Sequence, residues 1–286
     1  MKTWFPKLVL YGANFLLGLI RPLLFRLRRA HWQRTNQGRP DDVYLVTYPK
    51  SGTTWLQNIL YQITSEGSMD IHHISKVVPP LETRYVLPGH SADNLPSPRL
   101  FKTHFAYDRI PRGKKARYIY ADRNGLDVAV SYFHHYQAQK RYKGDLNRFF
   151  QLFIKGDVAY GSWFQHVREW RENKNGLNVL YVSYEDLLAD LEGNIYKIAE
   201  FCNFPIDGSK MPRILEQCSF AFMKANEEKF DLSLEGAATT PYIDPKEIGH
   251  GASAMSQEQR VMFKDEMENH QLQPDQVLSK QGSAAC

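Results

Sequence analysis

The chain has 286 residues, of which 43% are hydrophobic and 23% charged, and its formal net charge is +5. That balance is ordinary globular chemistry, with room for one large-cored α/β domain, and it lacks the dense basic clustering of a nucleic-acid reader. Three cysteines, Cys202, Cys218 and Cys286, provide no disulfide framework and suit a reducing compartment.

The amino terminus carries an apolar run from Leu8 to Ile20, 13 residues without a charge, broken by Gly12, Asn14 and Gly18 and ended by Arg21 and Pro22. A spanning helix needs about 20 apolar residues, so this run is short, and no small-residue cleavage site follows it. Arg21, Arg26, Arg28, Arg29 and Arg34 come after it and only Lys2 and Lys7 before it. If it inserted, that bias would leave the remainder on the cytoplasmic side. Two readings stand: an interfacial helix on anionic lipid, or a helix packed on the domain's own surface. Residues 1–36 are therefore set apart from a single domain over 37–270, with a polar tail over 271–286.

Val43-Tyr44-Leu45-Val46-Thr47 reads as a strand and Leu56 to Ile63 as a helix, with Tyr48-Pro49-Lys50-Ser51-Gly52-Thr53-Thr54-Trp55 between them. A strand, a turn with one glycine and a hydroxyl-rich helix start form an anion cradle, in which backbone N–H groups and the helix dipole converge. Lys50 adds a charge, and Ser51, Thr53 and Thr54 add donors; a phosphate is the natural occupant. The segment is not a Walker A loop, because its lysine precedes the glycine. Its bland alternative is an ordinary turn with threonine as the N-cap. Trp55 reads equally as a core residue or as a base-stacking one.

Lys76 to Pro98 contains five prolines and reads as irregular. Leu100-Phe101-Lys102-Thr103-His104-Phe105 follows. A second strand, Arg117 to Ala121, leads into Asp122-Arg123-Asn124-Gly125, and Asp127 to Gln139 continues as a helix. Arg123 offers a planar fork for phosphate at a strand end, and Ser131 lies about two helical turns further on. The alternative for Arg123 is an ion pair with Asp122 or Asp127. The pairs His72-His73 and His134-His135 have no cysteine or carboxylate at ligand spacing, so no metal site is expected. Helical patterns cover Tyr160 to Glu172 and Glu185 to Cys202, with a strand running from Asn178 towards Tyr184. Asn226 to Thr240 reads as a loop. Strands alternating with helices imply a mostly parallel central sheet flanked by helices.

These segments resemble those of the cytosolic-type sulfotransferases, which use 3'-phosphoadenosine 5'-phosphosulfate (PAPS) and release 3'-phosphoadenosine 5'-phosphate (PAP). Tyr48 to Trp55 resembles their nucleotide loop, and Arg123 with Ser131 resembles their 3'-phosphate signature. Lys102-Thr103-His104 resembles the segment whose histidine is the catalytic base. Tyr184 is similar to their adenine-contacting tyrosine, and Cys218 to Lys224 to the segment closing over the base, with Ser219 and Phe220 as contacts. The resemblance spans roughly residues 43 to 268 and implies a P-loop-NTPase-like fold. It departs at the carboxyl end, where the family's Arg-Lys-Gly and Gly-Asp-Trp-Lys are replaced within Asp244 to Ala252. Lys246 is the cation left to serve there. The family's dimerisation motif is not recognisable.

The resemblance implies sulfuryl transfer to a hydroxyl of a small, apolar acceptor, with no metal. His104 would take the proton, Lys50 and Lys102 would stabilise the developing charge, and Tyr85, Phe105 and Lys102 would wall the acceptor pocket. The expected location is cytoplasmic, with membrane contact through the amino terminus as an added option. Two rivals remain: a P-loop kinase, which would need Mg²⁺ ligands and the Walker lysine, and a non-catalytic nucleotide-binding or membrane-associated module.

Overall fold

The computed structural model describes residues 39–82, 95–113, 115–231 and 250–273. The readings placed on residues 1–36, on Tyr85, on Lys246 and on the tail beyond 273 lie outside the described residues. A four-stranded, wholly parallel sheet of order β2-β1-β3-β4 forms the centre, with β1 at Val43–Thr47, β2 at Leu100–Thr103, β3 at Arg117–Asp122 and β4 at Val179–Ser183. All five residues of β1 are buried, as a central strand covered on both faces requires.

Side chains leave the strands alternately to two cores. Val43, Leu45, Ile119 and Ala121 pack under α1 (Thr53–Thr64), and under the later α7 (Leu191–Cys202) and α8 (Met211–Cys218). Tyr44, Val46, Tyr118 and Tyr120 face the other way, onto Phe101 and Trp170. A third core of Phe149, Phe153, Trp163, Phe164 and Phe263 joins α3 (Gly125–Ala138), α4 (Leu146–Lys155), α5 (Trp163–Glu172) and α11 (Gln257–Asn269). Between these elements lie α2 (Ile74–Val77), α6 (Tyr184–Ala189), α9 (Phe220–Ala225) and α10 (His250–Ala254).

Some boundaries differ from the sequence reading for local reasons. The helix expected from Tyr160 starts at Trp163, because Tyr160 and Gly161 both have positive φ (73° and 76°) and Ser162 is the N-cap, accepting from the Gln165 N–H. The run from Glu185 to Cys202 is two helices. Asp190 ends α6 and caps α7 by accepting the Gly193 N–H at 2.9 Å. The last helix, α11, begins after Ser256, where Ser256 and Gln259 form a reciprocal capping box. The N-cap of α1 is Gly52, not a threonine, and no side chain caps it. No described helix is long and apolar enough to cross a membrane. His73 is used structurally: its ring accepts the Ser75 N–H at the start of α2, and Nε2 contacts the Asp231 carbonyl at 2.8 Å.

Candidate active site

The carboxyl ends of the parallel strands carry the site, where open α/β sheets present loops to ligands. From β1 the chain turns through Lys50 and Gly52, with φ of 71° and 85°, into α1. A non-glycine residue at positive φ is uncommon, and such strain tends to sit at functional turns. Gly52 has no substitute here, since an added Cβ would come within 2.7 Å of Tyr184 Cδ2. With no side-chain cap, the first N–H groups of α1 face outward over the turn, beside the half-buried Thr54.

Arg123 at the end of β3 closes the other side. Its guanidinium lies 4.4 Å over the Tyr184 ring, and Nη1 donates to the Lys50 carbonyl at 3.3 Å. The two sequence signatures therefore meet. The alternative ion pairs for Arg123 are not formed: Asp122 pairs with Arg171, and Asp127 accepts the Gly251 N–H at 2.6 Å. Glu185 accepts the Asn124 N–H at 2.9 Å and fixes the start of α3, on which Ser131 is half-buried. Trp55 lies against the core, its Nε1 donates to the Cys218 carbonyl at 2.8 Å, and its ring meets Tyr184 edge-on at 5.5 Å. Ser219 caps α9, and the ring of Phe220 is 42% exposed beside it.

The residues present suit a polyanion. Among the described residues, Ser51 Oγ and Arg123 Nε are buried without a hydrogen-bond partner. Leaving such donors unpaired is costly unless a ligand takes them.

His104 follows directly on β2. Its Nδ1 lies 2.9 Å from the Thr47 carbonyl oxygen and 3.2 Å from Thr47 Oγ1, which also contacts Thr53 Oγ1 at 2.6 Å. A carbonyl oxygen only accepts, so Nδ1 carries the hydrogen and Nε2 keeps its lone pair. Burial, then Lys102, pushes the imidazole down to about 3; the Thr47 carbonyl works the other way, and Lys50 adds to the lowering. The ring is therefore a neutral imidazole on which the charges of Lys102 and Lys50 act. Tyr160 meets it edge-on at 5.1 Å. That tyrosine is set by others: Tyr136 Oη accepts the Ala159 N–H at 2.7 Å, Tyr132 donates to the Ala159 carbonyl at 2.8 Å, and Tyr48 donates to the Gly161 carbonyl at 2.7 Å.

Lys102 is half-buried on β2. Phe105 is 5% exposed and packs with the cluster of Tyr118, Tyr120 and Trp170. Sequence reasoning passed over Thr47, Tyr160, Glu82 and the buried His166. A hydroxyl at a strand's carboxyl end was the signal available for Thr47, and a tyrosine before glycine for Tyr160; Glu82 and His166 carried none.

Three histidines here are pushed down to about 3, with burial as the first cause: His104, His135 on α3, and His166, whose Nδ1 lies 3.1 Å from Tyr120 Oη. In the unfolded chain each takes a proton near 6.5, so folding stability is complete above that value and is lost as pH falls towards 3. Asp122, raised to about 6 by burial, acts with the opposite sign over a smaller shift. The urea midpoint is expected to be lower at pH 5 than at pH 7.5, and equal midpoints would contradict the neutral histidines.

A family model described as "Sulfotransferase domain" matches residues 40–273. Sulfotransferase 1B1 of Mus musculus is 37% identical over 212 residues, covering 68% of this chain and 70% of that protein. Sulfotransferase 1A1 of Bos taurus is 40% identical over 200 residues, covering 65% and 67%. Among solved structures, mouse sulfotransferase SULT7A1 complexed with PAP superposes with a TM-score of 0.70 at 28% identity, covering 87% of this chain and 90% of that one.

Proposed function

The chain belongs to the sulfotransferase domain family, and from that premise we propose that it moves a sulfuryl group from PAPS to a hydroxyl of a small, largely apolar acceptor, with His104 as the general base. The observation that carries this reading is the neutral His104, its Nε2 lone pair kept available by the Thr47 carbonyl, beside Lys50 and Lys102. The PAP bound to the similar mouse SULT7A1 supports the choice of nucleotide.

Ser51, Gly52, Thr53 and Thr54 would hold the 5'-phosphate end, and Arg123 with Ser131 the 3'-phosphate; Lys246 is proposed as a further cation there. Trp55, Tyr184, Ser219 and Phe220 would bound the adenine. PAPS, when bound, supplies the sulfuryl group. His104 Nε2 accepts the acceptor's hydroxyl proton, because an alcohol or phenol is a poor nucleophile while it keeps that proton. Lys50 and Lys102 offset the charge that develops on the bridging oxygen, an electrostatic role that fixed donors fill without reorganisation. They take the place that Mg²⁺ has in phosphoryl transfer. Tyr160, edge-on to His104, presents an aromatic wall to the acceptor.

Transfer of label from PAPS over a panel of phenols, sterols and aliphatic alcohols tests the reading, alongside calorimetry with PAP. Turnover of one class with PAP binding is expected. Tight PAP binding without turnover on any of them would favour a non-catalytic module, and phosphoryl transfer from ATP with Mg²⁺ would reverse the assignment to a kinase.

Gly52→Ala tests the cradle separately. A non-glycine residue at left-handed φ costs roughly 1–2 kcal/mol, and the new Cβ would drive Tyr184 off its stack with Arg123. PAP affinity is expected to fall about tenfold, the weight of one 1.4 kcal/mol change; unchanged affinity by calorimetry would show that the turn does not contact the nucleotide.

A further inference from the structure

We propose that Glu82 is a positioning residue for the base, setting the backbone that carries His104. This rests on the reading of His104 as the general base. Residues 79–82 run beside the edge of the sheet: Lys102 N donates to the Pro79 carbonyl at 3.0 Å, and Pro80 bridges Lys102 in parallel sense. Leu81 is fully buried and anchors the segment in the aromatic core. The segment therefore acts as a short rail next to β2, and Glu82 stands at its end.

Beyond Thr103 the ladder stops, so the His104 N–H has no strand partner. Glu82 Oε1 accepts it at 2.6 Å. The same oxygen accepts the Thr103 hydroxyl at 2.9 Å, and Thr103 Oγ1 accepts the Phe105 N–H at 3.1 Å. One carboxylate oxygen thus organises three consecutive residues, through charge-assisted bonds that are shorter and stronger than neutral ones. His104 is then held twice, at its backbone by Glu82 and at its ring by Thr47. The two holds come from opposite sides of β2, which leaves the imidazole little freedom in where its Nε2 points. Placement of a catalytic group to within a fraction of an ångström is what positioning contributes to rate.

The test compares Glu82→Met, which keeps length and loses the acceptor, with Glu82→Gln, which keeps an acceptor oxygen and loses the charge. The Met variant is expected to lose about a hundredfold in kcat, the size of a misplacement effect. The Gln variant should lose less than tenfold, and both should keep the acceptor KM, the affinity for PAP and a cooperative melt. Paired with His104→Ala, the Met substitution should cost little more, because a misplaced base and an absent one fail alike. A full additional loss in the His104→Ala background would overturn the positioning role while leaving the base assignment intact. Undiminished turnover in His104→Ala alone would overturn the base assignment instead. Equal kcat for the two Glu82 variants, or loss of PAP affinity with kcat, would also overturn the proposal. If the Met variant fails to melt cooperatively, the Gln variant decides: an unchanged kcat overturns it, and a several-fold loss with PAP affinity intact upholds it.

Discussion

Alanine at His104 is expected to lower turnover about 10²–10⁴-fold, the usual contribution of a positioned general base, while PAP binds as before. The separation of the two effects follows from the contacts. The ring meets Thr47 and the edge of Tyr160, whereas the anion cradle is built from Gly52, Ser51 and Arg123 on other loops. Removing the imidazole therefore takes the proton acceptor away without taking a donor from the nucleotide. The acid limb of the wild-type profile supplies an independent check. An imidazole at its ordinary value would lose activity near 6.5, but burial, Lys102 and Lys50 hold this one at about 3. A bound phosphosulfate brings negative charge that offsets both lysines and raises the value again, yet burial, the largest cause, persists. The limb is expected well below pH 6.5. A kcat for the alanine variant equal to wild type would remove His104 from the mechanism, whatever the shape of that limb.

Much of this site was legible because its information is local. The strand Val43–Thr47 and the helix beginning at Thr53 flank a glycine that only a tight turn requires, so the strand-turn-helix course of Tyr48 to Trp55 is legible from its residues alone. Arg123 after a second strand was legible for the same reason, and the parallel order of β1 beside β3 brings it onto the Lys50 carbonyl. What stayed hidden is non-local. Glu82 reaches the His104 amide across 22 residues and Thr47 reaches its ring across 57, both through crossover connections that no periodicity reports. The helix breaks were hidden differently. Asp190 looks like one more polar residue on an amphipathic stretch, and only its role as a cap for the next turn splits the run in two. The packing of Phe105 was hidden in the same way as the Glu82 contact, since its neighbours Tyr118, Tyr120 and Trp170 come from distant parts of the chain.

Asp42→Ala should be the most destabilising single change at the end of the sheet away from the site. Asp42 and Arg99 are both fully buried, and their carboxylate and guanidinium are bidentate, with Nε to Oδ1 and Nη2 to Oδ2 each at 2.6 Å. The same residue collects three strand starts. Its Oδ2 accepts the Arg39 N–H at 2.8 Å, its carbonyl accepts the Arg117 N–H at 3.0 Å, and the neighbouring Val43 N–H donates to the Arg99 carbonyl at 2.9 Å. Alanine takes the bidentate carboxylate away from a buried guanidinium, and breaking a buried pair by removing one partner costs about 3–5 kcal/mol. For a domain of this size that corresponds to a fall of roughly 6–20 °C in Tm. Removing both charges, as Asp42→Ala with Arg99→Met, should recover most of the loss, because replacing a buried pair by apolar groups is often near neutral whereas breaking it is costly. The site sits at the opposite strand ends, so kcat measured well below the new Tm should stay near wild type. A double variant as unstable as the single one would show that Asp42 matters for its backbone contacts alone, and a loss of kcat at low temperature would show that the two ends of the sheet are coupled.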